Sequence, residues 1–182
     1  MRIIAGEFGG RTVKFPKSKL VRPTTDKNKE SIFNYLTNKI DFSEINVCDM
    51  YAGSGSLGLE ALSRGAENVN FVEQNYIVYK NILANIDLLK VSHRTKVFKM
   101  SCIKFANLAE HEKYDLILVD PPFFKDDVYK VIEGLEKNSF LTLDGIIILE
   151  RSVQTEKEDI KNLGIDPFKK LGDSLIYEFN FS

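Results

Sequence analysis

The chain predicts an α/β fold: a doubly wound, mainly parallel sheet with one antiparallel member at or near an edge. Three observations carry this. Short apolar runs alternate with amphipathic stretches from residue 46 onward. The apolar runs lack clean polar alternation, as strands covered on both faces do. The first of them ends in a glycine-rich loop that opens a helix, the usual ligand corner of such a sheet.

The elements follow in order. "RIIAGEFGGRTVKF" reads as a short hairpin, with Gly9-Gly10 at the turn and β-prone Ile3-Ile4 and Thr12-Val13 beside it. "TTDKNKESIFNYLTNKI" reads as a helix: Thr24, Thr25 and Asp26 are N-cap candidates, and Ile32, Phe33, Leu36 and Ile40 recur at helical spacing. "NVCDMY" is a strand and "SLGLEALSRG" a helix stopped at Gly65. "NVNFVE" is a strand and "YIVYKNILANIDLLK" a helix. "TKVFKM" is a strand, followed by a short helix over 103–111. "DLILVD", "DVYKVIEGLEKN" and "GIIILE" read as strand, helix and strand. A helix near "EKEDIKNLG" precedes "PFKKLG" and "SLIYEFNF", which pair as an antiparallel hairpin. The 182 residues fit one domain: a basic hairpin and helix extension over 1–40, and an α/β core over 41–182.

Composition excludes some classes. No apolar run is long enough to span a membrane, and the N-terminus lacks a signal-peptide pattern, so a cytoplasmic location is expected. Cys48 and Cys102 form no C-x-x-C pair and read as buried small apolar residues. His93 and His111 stand outside any metal spacing, so no metal is expected. Residues 1–30 carry eight Lys and Arg against three Asp and Glu, a net +5 that leaves −6 on the remainder of a chain whose total is −1. A basic arm on an acidic body suits a polyanion, with Arg11, Lys14 and Arg22 as contacts.

Ligands of such a sheet bind beyond the carboxyl ends of its strands. Those ends read Asp49, Glu73-Gln74, Ser101-Cys102, Asp120-Pro121-Pro122-Phe123 and Glu150-Arg151. The loop "DMYAGSGSLGLEA" contains Gly53-x-Gly55-x-x-Gly58, and Glu73 follows Gly53 by 20 residues, which matches the dinucleotide fingerprint. Asp49 opposes that ligand, because a carboxylate there faces a pyrophosphate with like charge. It suits S-adenosylmethionine, which carries an ammonium and a sulfonium and no phosphate.

"DPPF" fits the acceptor half of a methyl transfer. An exocyclic base amine is a poor nucleophile because its lone pair is delocalised into the ring. Hydrogen bonds from its N–H groups to Asp120 and to the Pro121 carbonyl would localise that pair and aim it. Prolines donate no N–H, and Phe123 would stack on the base. The residues alone leave alternatives open: adenine N6 in DNA or RNA, glutamine N5 in protein, or a nicotinamide-dependent oxidoreductase. A DNA enzyme generally needs a sizeable region to read base edges, and no insertion here is large enough.

The sequence resembles the bacterial 16S ribosomal RNA (guanine-N2)-methyltransferases of the RsmD type over nearly its whole length. The resemblance rests on "RIIAGEFGGR", "RPTTDKNKESIFNYL", "YAGSGSLGLEALSRGA", "FVEQN" and "DPPF" in order. It implies that Asp49, Ala52, Gly53, Ser54 and Gly55 contact S-adenosylmethionine, that Glu73 holds the ribose hydroxyls, and that Gln74 neighbours the adenine. Ser101-Cys102 occupies the place near the adenine amine where many methyltransferases have Asp. Asp120, Pro121, Pro122 and Phe123 would form the acceptor site. Arg22 and Thr24 lie in a basic segment that would close over the site or hold RNA. The resemblance also implies a seven-stranded Rossmann-like methyltransferase sheet with an antiparallel last strand, and a monomer acting on 16S rRNA of the small ribosomal subunit.

Overall fold

The structure, a computed structural model, describes residues 1–15, 26–122 and 126–181. Its elements are α1 (Asp26–Thr37), β1 (Asn46–Met50), α2 (Ser56–Ser63), β2 (Asn68–Val72), α3 (Tyr76–Leu89), β3 (Thr95–Phe98), α4 (Cys102–Ala106), β4 (Tyr114–Val119), α5 (Asp127–Lys137), β5 (Leu141–Ser152), α6 (Glu156–Leu163), β6 (Lys169–Leu171) and β7 (Ser174–Phe179). One sheet runs β3-β2-β1-β4-β5-β7-β6. Strands β1 to β5 pair in parallel, and β7 inserts antiparallel between β5 and β6.

Side-chain alternation sorts the strand residues onto two faces. Val47, Val69, Phe71, Leu116, Leu118, Ile146 and Ile148 share one core with α1, α2, α3 and the N-terminal segment. Cys48, Met50, Val72, Ile117, Val119, Ile147 and Leu149 share the other with α4 and α5. Both faces are covered, which is why these strands read as unbroken apolar runs. At the β6 edge, exposed Lys169 and Lys170 discourage further strand pairing. Both cysteines are free and buried.

Three boundaries move relative to the sequence reading. Helix α4 ends at Ala106, not near 111, because the Asn107 side chain donates to the Ile103 carbonyl and the chain then turns toward β4. Strand β5 runs on to Ser152, because β7 supplies antiparallel partners as far as Ser174. Helix α1 stops at Thr37, and the Asn38, Lys39 and Ile40 N–H groups bond back into its last turn. The cap candidates Thr24 and Thr25 lie outside the described residues.

The N-terminal hairpin forms in a looser shape than expected. Arg2 and Thr12 pair antiparallel, the Ile3 N–H donates to the Arg11 carbonyl, and the Gly10 N–H donates to the Ile3 carbonyl. Gly9 and Gly10 supply the turn, closed by the Arg11 N–H on the Phe8 carbonyl at 3.1 Å with Gly10 at φ 82°, but residues 4–8 widen the loop because they are committed to α2. The N–H groups of Ile4 and Ala5 donate to Glu60 Oε2 and Oε1 at 2.7 and 3.1 Å. The Glu7 N–H reaches the Ser63 carbonyl and the Phe8 N–H reaches Ser63 Oγ. Gly6 packs so closely that a Cβ would lie 1.8 Å from the Ser63 oxygen.

Glu60 is fully buried. Its carboxylate also receives Arg64 Nε at 2.9 Å and faces the buried ammonium of Lys29 at 3.6 Å. Lys29 in turn donates to the Arg2 carbonyl and to Ser56 Oγ. Burial holds the Lys29 amine below its ordinary pKa, although Glu60 opposes that shift. One carboxylate thus ties the N-terminal segment, α1 and α2 together. Glu60→Ala leaves a buried cation and two backbone donors unpaired, so it is expected to cost about 3–5 kcal/mol. A lowered urea midpoint checks this, together with faster proteolysis of residues 1–15.

Candidate active site

The chain winds from β1 outward through β2 and β3, then returns to place β4 on the other side of β1. The switch point therefore lies between the carboxyl ends of β1 and β4. Asp49 stands on one side of it and Asp120 on the other.

The loop after β1 needs unusual backbone. Tyr51, Gly53 and Gly55 all have positive φ (57°, 55° and 80°). The Ala52 N–H extends the ladder to the Val72 carbonyl, and the Gly55 N–H closes a turn onto the Ala52 carbonyl at 2.7 Å. Helix α2 then starts at Ser56. Its first turn presses on the sheet at Gly58, where a Cβ would meet Phe71 at 2.4 Å and Val69 at 2.9 Å. Only glycine permits that approach, which brings the helix start over the strand ends.

Glu73 reaches back across this loop. Its Oε2 accepts from the Gly53 N–H at 3.1 Å and its Oε1 from the Asn75 N–H at 2.7 Å. Asn75 also caps α3 through its side chain. Gln74 is exposed beside it. Ser101 caps α4, accepting from the Lys104 N–H, and Cys102 Sγ accepts from the Tyr51 N–H at 3.2 Å. The structure thus gathers Ala52, Gly53, Ser54, Gly55, Glu73, Ser101 and Cys102 around one loop.

Asp49 is buried, with 1% of its surface exposed, and its Oδ2 accepts from the Gly58 N–H at 2.8 Å. Burial pushes its carboxyl well above the usual carboxylate range. The Gly58 bond opposes this, while the charges of Asp120 and Glu73 add to it. The sign for stability follows from that direction. A carboxyl raised in the folded state stabilises the fold in acid and loses that contribution as pH climbs through the raised value. Asp49→Asn, which keeps an acceptor for Gly58, is expected to raise the urea midpoint relative to the parent, and by more at about pH 7 than at about pH 4.

Asp120 follows β4 directly, half-buried, with Pro121 buried and Pro122 exposed. Phe123 lies outside the described residues. The Tyr51 hydroxyl donates to Asp127 at the start of α5 (2.9 Å), tying the glycine loop to the far side of the segment after Asp120. Burial raises the Tyr51 phenol well above its usual pKa, which keeps it a donor.

The basic arm is only partly described. Arg11 is exposed, with its guanidinium 5.4 Å from the Phe8 ring centroid. Lys14 has an exposed side chain and a fixed backbone. Its N–H donates to Asn85 Oδ1 at 2.8 Å, and its carbonyl accepts from Asn85 and Asn81. Asn85 also donates to the Ser54 carbonyl. A fully buried side chain on α3 therefore joins the arm to the glycine loop. Sequence reasoning passed over Asn85, although a lone amide on the face of Val78, Ile82 and Ile86 was a legible signal. Arg22 and Thr24 lie outside the described residues.

A second polar cleft, lined by Asn46, Asn70, His93, Lys96 and Glu112 among others, lies at the amino ends of β1 to β3. Its Asn70, Lys96 and Glu112 pair with one another. Among the described residues no group of acids, cysteines and histidines could hold a metal. No described helix is long and apolar enough to cross a membrane.

A glycine-rich loop at a switch point, faced by Asp-Pro-Pro after the neighbouring strand, is the layout of a Rossmann-like methyltransferase. A solved Escherichia coli structure, named provisionally as a methyltransferase, superposes with a TM-score of 0.81 at 28% identity, covering 99% of this chain and 98% of that one. A ribosomal protein L11 methylase from Lactobacillus delbrueckii shares the fold, with a TM-score of 0.69 at 18% identity over 85% of this chain and 79% of that one. The family described as "Conserved hypothetical protein 95" matches residues 1–180. Relatives named ribosomal RNA small subunit methyltransferase D are 37% identical in Haemophilus influenzae (87% of this chain, 80% of the relative) and 35% identical in Escherichia coli K12 (85% and 76%). The chain belongs to this methyltransferase family.

Proposed function

We propose that this protein transfers the methyl group of S-adenosylmethionine to the exocyclic N2 amine of a guanine in 16S rRNA of the small ribosomal subunit. The observation that carries the reading is the meeting, at one switch point, of the Glu73-braced glycine loop and Asp120. It is joined by membership in a family whose relatives are named for small-subunit rRNA methylation. That membership displaces the nicotinamide alternative.

The donor supplies an electrophilic methyl on a sulfonium. Each Glu73 oxygen takes one backbone N–H and keeps a lone pair for a ribose hydroxyl. Gln74 would neighbour the adenine, and Ser101 and Cys102 would lie near its amine. A positively charged donor would favour the ionised form of Asp49, which burial alone disfavours. On the acceptor side, Asp120 and the Pro121 carbonyl accept the two N–H groups of the amine. They restore its lone pair and align it, which is most of what an in-line displacement needs. Pro122 stiffens the segment, and Phe123 stacks on the base. After transfer, the surplus proton on nitrogen leaves through the Asp120 carboxylate to water.

The test is transfer of labelled methyl to unmodified small subunits, naked 16S rRNA, duplex DNA and release-factor protein, with the product identified. N2-methylguanosine in rRNA is expected. Asp120→Ala is expected to lower the rate by about 10²–10³-fold while calorimetry shows unchanged donor affinity. Equal loss of both would remove Asp120 from the acceptor site.

Arg11→Glu with Lys14→Glu is expected to weaken subunit binding and to flatten its salt dependence by about 1.5–2 in the log–log slope. An unchanged slope would show that the RNA footprint lies elsewhere.

A further inference from the structure

One carboxylate beside Asp120 has no part in the chemistry above. The last residue pair joining β4 to β5 is Val119 with Leu149. Asp120 follows β4 and Glu150 continues β5, so the two stand at the carboxyl ends of neighbouring strands, whose general spacing is about 4.8 Å. The alternation puts both on one face. Leu116 and Leu118 precede Asp120, Ile146 and Ile148 precede Glu150, and all four belong to the core under α1 and α2. Asp49 follows Val47 onto that same face, and its carboxyl feels the charge of Asp120.

Glu150 is 6% exposed. Its Oε1 accepts from Asn28 Nδ2 at 3.2 Å, and Asn28 also donates to Ser174 Oγ at 3.2 Å. Its Oε2 has no hydrogen-bond partner among the described residues. Leaving a buried carboxylate oxygen without a donor costs free energy, so such an atom calls for explanation. The other unpartnered buried oxygen, the Tyr177 hydroxyl, belongs to the opposite core and not to this corner.

The missing donor follows from the base chemistry, and this step rests on the guanine reading above. Guanine presents N1–H directly beside its N2 amine, so an amine held by Asp120 brings a second donor to the neighbouring strand. Adenine presents an unprotonated ring nitrogen beside its amine, and that lone pair would face the carboxylate unfavourably. We propose that Glu150 Oε2 accepts the N1–H of the target guanine and thereby sets base selectivity. Asn28 acts as a positioning residue: anchored on Ser174, it holds the other oxygen and so aims the carboxylate.

The rival role is purely structural, with Glu150 fastening α1 through Asn28. Glu150→Gln separates the two. It keeps the size and an acceptor for Asn28, but turns the open position from acceptor to donor. The probe is 2-aminopurine, which keeps the exocyclic amine and lacks N1–H. The methylated position is located by nuclease mapping of the product, and 2-aminopurine is placed there by ligating a synthetic fragment into the rRNA.

The parent enzyme is expected to methylate guanine about 10–100-fold faster than 2-aminopurine. In Glu150→Gln the guanine rate is expected to fall by a similar factor while 2-aminopurine holds, so the ratio closes or inverts. Donor affinity and the urea midpoint should stay at the parent values. Equal parent rates on the two bases would overturn the assignment, and that comparison needs no variant. A Glu150→Gln enzyme with the parent ratio would also overturn it. No transfer by the parent to guanine in the subunit would overturn the rRNA reading itself, whereas transfer with unchanged selectivity removes Glu150 alone.

Discussion

Helix α2 is buried along its whole length, and the rest of the molecule is arranged around that fact. A surface helix hides one stripe. This one must satisfy every side, including its polar ones. Gly58 lets it lie against Phe71 and Val69 on the sheet side. Glu60 and Ser63 face the other way and bond the backbone of residues 4–8. Lys29 arrives from α1 to offset the buried charge. The N-terminal segment therefore belongs to the core that fixes the glycine loop. Residues 1–3 pair with 10–13, but the hydrogen bonds of residues 4–8 go to α2, which is the reason the hairpin opens into a wide loop.

The same helix sets the electrostatics of the corner. Asp49 is buried beneath its start and held by the Gly58 N–H, with Glu73 and Asp120 near enough to raise its pKa further. A site that concentrates negative charge in low dielectric is poorly suited to phosphates and well suited to a cation. Under the proposed function stability and function pull apart here, because the group most awkward for the fold is the one proposed to favour a positively charged ligand.

The two ends of α1 face different tasks. Its middle buries Ile32, Phe33 and Leu36. Its first turn sends Asn28 to Glu150 and Ser174, and Lys29 to Ser56 and Glu60. The basic extension is thus coupled through packed side chains to the end of β5 and to the start of α2. A contact made by the arm is one short step from the strand ends where the chemistry is proposed.

Local pattern by itself determined the alternation of strands and helices, the glycine loop, the acids closing the strands and the antiparallel final strand. Each of these is written in residues close together in the chain: apolar runs of strand length, Gly53-x-Gly55-x-x-Gly58, and Asp-Pro-Pro at the end of an aliphatic run. What only the tertiary structure decided is which distant groups meet. Glu60 reads in sequence as one polar residue in a helix. Asn85 reads as an amide on an apolar helix face, but its partners Lys14 and Ser54 are not readable there, and Asn28 and Glu150 lie 122 positions apart. The direction of Asp49, toward Gly58, was equally hidden. Spacing along a strand fixes the face a side chain occupies, but partners are set by the order in which strands assemble and by how closely α2 can approach them.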